Sequence, residues 1–523
     1  MRRSQDAMQD VELVDVATAL PLLPSPDDPG ADAAHARRAA RRRRLVRRWW
    51  PVPVVVAGAL VAAQLVSDAR EHDRVAARQE VPGVLRTVEP GLPAVRRYDQ
   101  AIASVVLSGV AAGDLRVGVA SPPWDAAREL VALDVDGDQV WSTSLEDPEL
   151  GAPDTGMDHP TCTADAEPVT VVRCLVLDRT AADAPDDSGT RTPAVPTAAR
   201  LVALDVADGT VRGSRQVARM SGWGGAGAVQ VLASVTDDTL RVTAWDTAAD
   251  RGGPDDPGAT PLWRTDVTLD GRGATQQPFY PPGVTVTPER VLVQGDLGSW
   301  SFAAADGRLQ VAERDYLSVS RTGHLIAATG NGVRLVGDGG ATVAELPGTP
   351  LYLTVDDGSV PGVELITTTG PDGRAIAAVD VESGTDVWTA SLPRWAESSV
   401  VLLEGVLYGA DQDAAWAVDA ATGRELWRTV VDVTGESALM TDGRYLLVVA
   451  RPDDLAALGL TVGAPADEDG PVETDGSSRA VAALDLGTGA PVWATRLPED
   501  VRGVWSWQAD LLGYGDVDVV VLN

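Results

Sequence analysis

No lysine occurs anywhere in this sequence; its 43 basic residues are all arginine. That absence removes whole classes of chemistry: there is no Walker lysine, kinase strand lysine, Schiff-base lysine or Ser-x-x-Lys dyad. Cysteine is almost as scarce, with two residues, and the four histidines (His35, His72, His159, His324) are scattered. A metal site needs more ligands than such a set brings together, so no metal is expected. Aromatics make up 5%, and Trp (15) outnumbers Tyr (7) and Phe (2). An inverted ratio of that kind points to one structural role for tryptophan, used repeatedly.

Positive charge is outnumbered over most of the chain. Residues 1–50 carry ten Arg against seven acids, whereas residues 70–523 carry a net charge of about −35. So acidic a surface repels nucleic acid, which is excluded as a partner.

From Trp49 to Ser67 runs WWPVPVVVAGALVAAQLVS, nineteen residues without a charge. As a helix this is about 28 Å long, close to the thickness of a bilayer's hydrocarbon core. Trp49 and Trp50 suit the interface, and Pro51 and Pro53 fall in the first turn, where a missing N–H costs least. Upstream lie Arg37, Arg38, Arg41 to Arg44, Arg47 and Arg48. The positive-inside rule keeps this cluster in the cytoplasm and sends the C-terminal part across. A cleaved signal peptide is the competing reading; a 48-residue leader and an overlong apolar run argue against it. The expected organisation is a disordered cytoplasmic tail (1–48), a transmembrane helix (49–69), a juxtamembrane linker (70–94) and an extracytoplasmic domain (95–523). The expected location is the cell membrane, with the N-terminus cytoplasmic and the lipid bilayer as one partner.

Cys162 and Cys174 form an isolated close pair, most simply one disulfide on the oxidising side of a membrane. Val169 to Leu177 reads as a strand that the bridge would staple to the segment before it.

Beyond residue 95, short Val/Leu/Ala-rich runs alternate with Gly/Asp turns. Three stretches align: AVDVESGTDVW (378–388), AVDAATGRELW (417–427) and ALDLGTGAPVW (483–493). The spacing specifies a β-hairpin. A strand ends at Asp380, Asp419 or Asp485, whose carboxylate can accept turn N–H groups. Gly384, Gly423 or Gly489 supplies the positive φ, and Trp388, Trp427 or Trp493 opens the returning strand. Weaker copies lie at 130–141 (with Trp141), 201–212, 243–267 (with Trp263 after an insertion), 300–311 and 325–340, making about eight units.

This pattern resembles the PQQ-like β-propeller repeat, found in quinoprotein dehydrogenase propellers and outer-membrane assembly lipoproteins. The resemblance implies an all-β, seven- or eight-bladed propeller of four-stranded antiparallel blades, in which Trp141, Trp263, Trp388, Trp427 and Trp493 dock neighbouring blades. The final run VDVVVLN (517–523) would then close the ring on the first blade.

The same resemblance invites a quinone-dependent dehydrogenase, but no adjacent cysteines or calcium-binding carboxylate set match that family. No catalytic or cofactor-binding residues are therefore assigned, and no cofactor is expected. Gly222-Trp-Gly-Gly-Ala-Gly227 fits a dinucleotide-binding motif by letters, yet a strand pattern follows it, so it reads as a glycine-rich turn. Asp134-Val-Asp-Gly-Asp138 resembles a calcium loop but coincides with a repeat turn. Polar insertions at about 179–199 and 452–478 should emerge on one face, and that at 247–260 on the other. The expected function is a non-catalytic binding or scaffold module for envelope proteins or peptides. The alternatives are a small-molecule sensor in the propeller channel and, further off, a quinone-dependent dehydrogenase.

Overall fold

The computed structural model describes residues 51–120, 129–145, 161–179, 196–247, 259–269, 280–329, 332–370, 373–391, 400–411, 413–433, 439–463, 479–507, 509–515 and 518–523. The Arg cluster, Trp49 and Trp50 lie outside them, as do most of the three polar insertions. Among the described residues no helix is long and apolar enough to cross a membrane. The helix α1 spans Pro51–Gln79.

The domain from Val75 onward is a β-propeller of nine blades, one more than the longer of the two counts expected. Blades 1 to 8 lie at 110–144, 161–217, 221–268, 283–313, 317–346, 348–391, 400–430 and 440–496. The ninth joins Gly503–Trp507, Asp510–Tyr514 and Asp518–Val521 to Arg96–Asp99, which comes from the other end of the domain. Arg96 pairs with Val521 and Asp99 with Asp518. The miscount has a simple origin. The repeat motif marks the hairpin between a blade's third and outermost strands, and ring closure splits that hairpin in blade 9, which consequently carries no motif. The terminal strand closes the ring on Arg96–Asp99 and not on the first blade.

Each of the three closely aligned motif hairpins contains a β-bulge. Ala378 pairs with Trp388, but the next residue, Val379, pairs with Asp386, leaving Val387 over; Ala417/Trp427 and Ala483/Trp493 repeat the shift. An extra residue of this kind turns the strand and re-aims the following side chain. Here it directs the tryptophan at the next blade and leaves Val387, Leu426 and Val492 outside. Strand direction alternates within a blade, so the motif turns share one face, the motif face, with the turns between first and second strands. The strands that bracket 180–195 and 464–478 end on the opposite face, and those that bracket 248–258 end on the motif face.

Two blades carry a fifth, parallel strand. Leu353–Asp356 pairs with the first strand of blade 7, on its axial side. Val462–Gly463 pairs with the outermost strand of blade 8. It follows the helix α2 (Pro452–Ala457), whose Leu455 is fully buried, so the start of the third insertion is part of the core.

Residues 84–92, inside the segment expected to be a linker, pack as a strap across blades 8 and 9. Leu85, Val88 and Leu92 are buried among Met440, Leu447, Val481, Val504 and Leu511. Backbone bonds fix the strap: Leu85 N donates to Thr441 O (2.8 Å), Arg86 N to Ala509 O (2.7 Å) and Val88 N to an Asp442 carboxylate oxygen (3.2 Å). The last turn of α1 joins it on the motif face, with Arg78 donating to Gly443 O and pairing with Glu404, both at 2.6 Å.

Candidate functional site

The motif residues assemble at the junctions between blades. Asp380 Oδ1 accepts the Ser383 N–H (2.8 Å) and hydroxyl (2.7 Å); Asp419 and Asp485 do the same with Thr422 and Thr488. The Ser383 hydroxyl, with help from backbone N–H groups, holds the Asp380 carboxyl below its ordinary pKa. Gly384, Gly423 and Gly489 sit at φ of 65°, 72° and 69°.

The tryptophan then reaches the following blade. The indole N–H of Trp141 donates to Val206 O (2.9 Å), of Trp263 to Ala304 O (2.8 Å), of Trp388 to Ala420 O (2.9 Å) and of Trp427 to Leu486 O (2.9 Å). In three of the four cases the acceptor residue directly follows the turn aspartate of the next blade: Asp205, Asp419 or Asp485. Its glycine lies flat on the ring. A Cβ on Gly489 would stand 2.4 Å from Trp427, and one on Gly423 2.7 Å from Trp388. Glycine is thus required here twice, for the positive φ and for the close approach. A threonine two residues after the tryptophan adds a third bond: Thr143 to Gly209 O (2.7 Å), Thr265 to Gly307 O and Thr429 to Gly489 O (both 2.6 Å).

Trp493 departs from this scheme. Blade 9 has no motif hairpin to offer a carbonyl, and the Trp493 indole N–H has no hydrogen-bond partner among the described residues. Its ring instead meets Tyr445 edge-on, with centroids 6.5 Å apart. The strap at 84–92 seals this same junction with apolar side chains. At the 9-to-1 junction Tyr98 stands in for a tryptophan: a Cβ on Gly137 would come within 2.4 Å of its hydroxyl. At the 5-to-6 junction the tryptophan position is Ala344, facing Gly384.

Sequence reading passed over a polar cluster beside that alanine. Glu364 is 2% exposed and accepts from the Thr322 hydroxyl (3.2 Å), which also contacts His324 Nδ1 (3.0 Å). Arg321 pairs with Asp356 alongside (2.9 Å). Burial raises the Glu364 pKa, outweighing the hydroxyl bonds and the nearby guanidinium. The residues come from three separate turns and strands, and no local spacing announces them.

Cys162 and Cys174 face each other across the first two strands of blade 2 and form a disulfide. The Gly222–Gly227 motif is a correction: it is mainly the innermost strand of blade 3 (Ser221–Ala226), not a turn. A Cβ on Gly224 would stand 2.4 Å from Val284 O, so small residues here allow blade 4 to approach. Asp134–Asp138 is a motif turn, with Asp134 accepting from Asp138 N (2.9 Å).

A family profile described as "Outer membrane protein assembly factor BamB" matches residues 372–464, the span that holds the Trp388 and Trp427 hairpins. Over these residues the propeller carries PQQ-like repeats. Among solved structures, this PQQ-like propeller is similar to BamB from Moraxella catarrhalis at 14% identity, covering 82% of this chain and 97% of that one (TM-score 0.36). A europium-containing methanol dehydrogenase matches at 11% identity over 74% and 95% of the two chains (TM-score 0.34). A quinohemoprotein alcohol dehydrogenase from Pseudomonas putida matches at 12% over 72% and 77% (TM-score 0.31). Among curated proteins none matches this chain.

A fold by itself does not decide catalysis. The two cysteines are consumed in a cross-strand bridge on blade 2, and the described residues bring together no group of three His, Cys, Asp or Glu able to hold a metal ion.

Proposed function

We propose that this PQQ-like propeller is tethered to the cell membrane by residues 49–67, lies outside the cytoplasm, and acts as a non-catalytic binding or scaffold module for envelope proteins or peptides. One observation carries the reading: the motif residues are engaged in holding blades together. The Asp carboxylates cap turns, the Gly positions receive indole rings, and four Trp N–H groups meet backbone carbonyls. What remains for a partner is surface, chiefly the connections on the face opposite the motif turns. The strap and residues 75–79 pack on the motif face, and the strands that bracket 180–195 and 464–478 end on the opposite one. The channel-sensor alternative has against it the strand Leu353–Asp356, which lies on the axial side of blade 7.

Photo-crosslinking in intact cells tests the proposal. Amine-reactive reagents are unsuitable, because the only amine is the N-terminus. A reproducible envelope-protein adduct is expected, lost when 183–193 and 465–477 are deleted together. The second deletion must spare 452–463, where Leu455 is core. An unchanged adduct pattern would count against the assignment of that face.

A further inference from the structure

The ring-closing seam between blades 9 and 1 contains a cavity of about 310 Å³ that none of the foregoing uses. At this junction Tyr98, and not a docked tryptophan, faces the turn glycine of the next blade, Gly137. Its walls include the aromatic rings of Tyr98 and Trp507, and Leu133, Leu512 and Val521 contribute apolar surface. Asp114, Asp134 and Asp510 bring three carboxylates to it, against Arg86 and Arg116.

The arginines are already committed in different degrees. Arg116 is half-buried and donates to Val106 O. Arg86 is 72% exposed at its side chain and stands 3.4 Å from Asp510 Oδ1. The contact lacks hydrogen-bond alignment, so that buried carboxylate oxygen has no hydrogen-bond partner among the described residues. The Trp507 indole N–H has none either. A buried carboxylate oxygen left without a donor is costly, and a charge-assisted bond to it is among the stronger ones available.

We propose that this seam is a binding site for a guanidinium or alkylammonium group, such as the basic side chain of a peptide. The cation sits against Trp507 and donates to Asp510, and Arg86 swings out to admit it; Arg96 already lies over the Tyr98 ring, 5.9 Å from its centroid, and shows that this wall accepts a guanidinium. Aromatic faces beside a carboxylate favour an organic cation, and the domain's charge of about −35 draws cations toward it. Arg86 is therefore a displaceable cover and competes with the ligand. The site stands whether or not the propeller also binds an envelope protein.

The test uses the purified full-length chain with N-acetyl-arginine amide as probe, followed by calorimetry or ligand-observed NMR. N-acetyl-glutamate amide serves as the anionic control. Asp510→Asn should weaken binding roughly tenfold, the loss of one charge-assisted contact. Arg86→Ala should tighten it severalfold, an outcome that a site built around arginine as anion receptor would reverse. A thermal melt of each variant establishes that the fold is retained, and Glu382→Gln, an exposed carboxylate in the blade 6 turn outside the cavity, controls for net charge. Equal affinity in wild type and Asp510→Asn, weaker binding in Arg86→Ala, or preference for the glutamate probe would each overturn the proposal.

Discussion

Replacing Trp427 and Trp493 by phenylalanine should have unequal consequences, although the two residues occupy the same motif position. Trp427→Phe removes the N–H that meets Leu486 O at 2.9 Å. It leaves that carbonyl short of a donor, at a cost of about 1–3 kcal/mol. It also trims the ring that Gly489 packs against. Trp493→Phe trims a similar ring but breaks no hydrogen bond, since its N–H is already without a partner. Removing that N–H relieves a desolvation penalty of the same order and offsets the lost ring surface. The area terms nearly cancel between the variants, so the carbonyl left unpaired at one site and the penalty relieved at the other add, and Trp427→Phe should be the less stable by about 2–6 kcal/mol. Urea titration followed by far-UV circular dichroism measures this as a difference in midpoint at constant m-value. Trp388→Phe, which loses the bond to Ala420 O, should group with Trp427→Phe. Equal losses at positions 427 and 493 would refute the idea that ring closure deprives the eighth blade of its docking partner.

Leu85→Ala should cost about 2–5 kcal/mol, because a fully buried side chain is lost at the junction that has no tryptophan docking; accelerated proteolysis near blades 8 and 9 would accompany it, and a neutral result would return 84–92 to the status of a linker. Glu364 has a folded-state pKa above its ordinary value, so its stability contribution is fully present below that ordinary value and is lost as pH rises through the folded pKa. Melting temperature measured against pH should therefore fall across the range just above the ordinary glutamate value, and Glu364→Gln should flatten that fall. The neighbouring Arg321–Asp356 pair and His324 are left in place as internal controls. Replacing Cys162 and Cys174 together by alanine should lower stability by about 3 kcal/mol for a bridge spanning twelve residues, and reductant should do the same to the wild type but nothing to the variant.

The repeat unit was legible because its physics is local. An aspartate, a glycine and a tryptophan within eleven residues fix a capped turn, a positive φ and a return strand; the bonds of Trp141, Trp263, Trp388 and Trp427 to the next blade were implied by the family resemblance and not by the spacing. The junction chemistry was half legible: the tryptophan announces itself, whereas the threonine two residues on, at 143, 265 and 429, looks like any strand residue. The Glu364 cluster and the seam cavity left no trace in the pattern, since their members are drawn from separate blades.

By itself the sequence determined a series of β-hairpin repeats and a disulfide, because hairpins and a close cysteine pair depend on residues near one another in the chain; the propeller was implied by the resemblance of those repeats to the PQQ-like family. Only the tertiary structure decided that there are nine blades, that Leu85, Val88 and Leu92 are core, and that the Trp493 indole N–H meets no carbonyl among the described residues. Each of these depends on where the two ends of the domain meet. Arg96 pairs with Val521 and Leu85 with Thr441, across more than three hundred residues of chain. Ring closure is a property of the whole circle, and no single repeat within it carries the information.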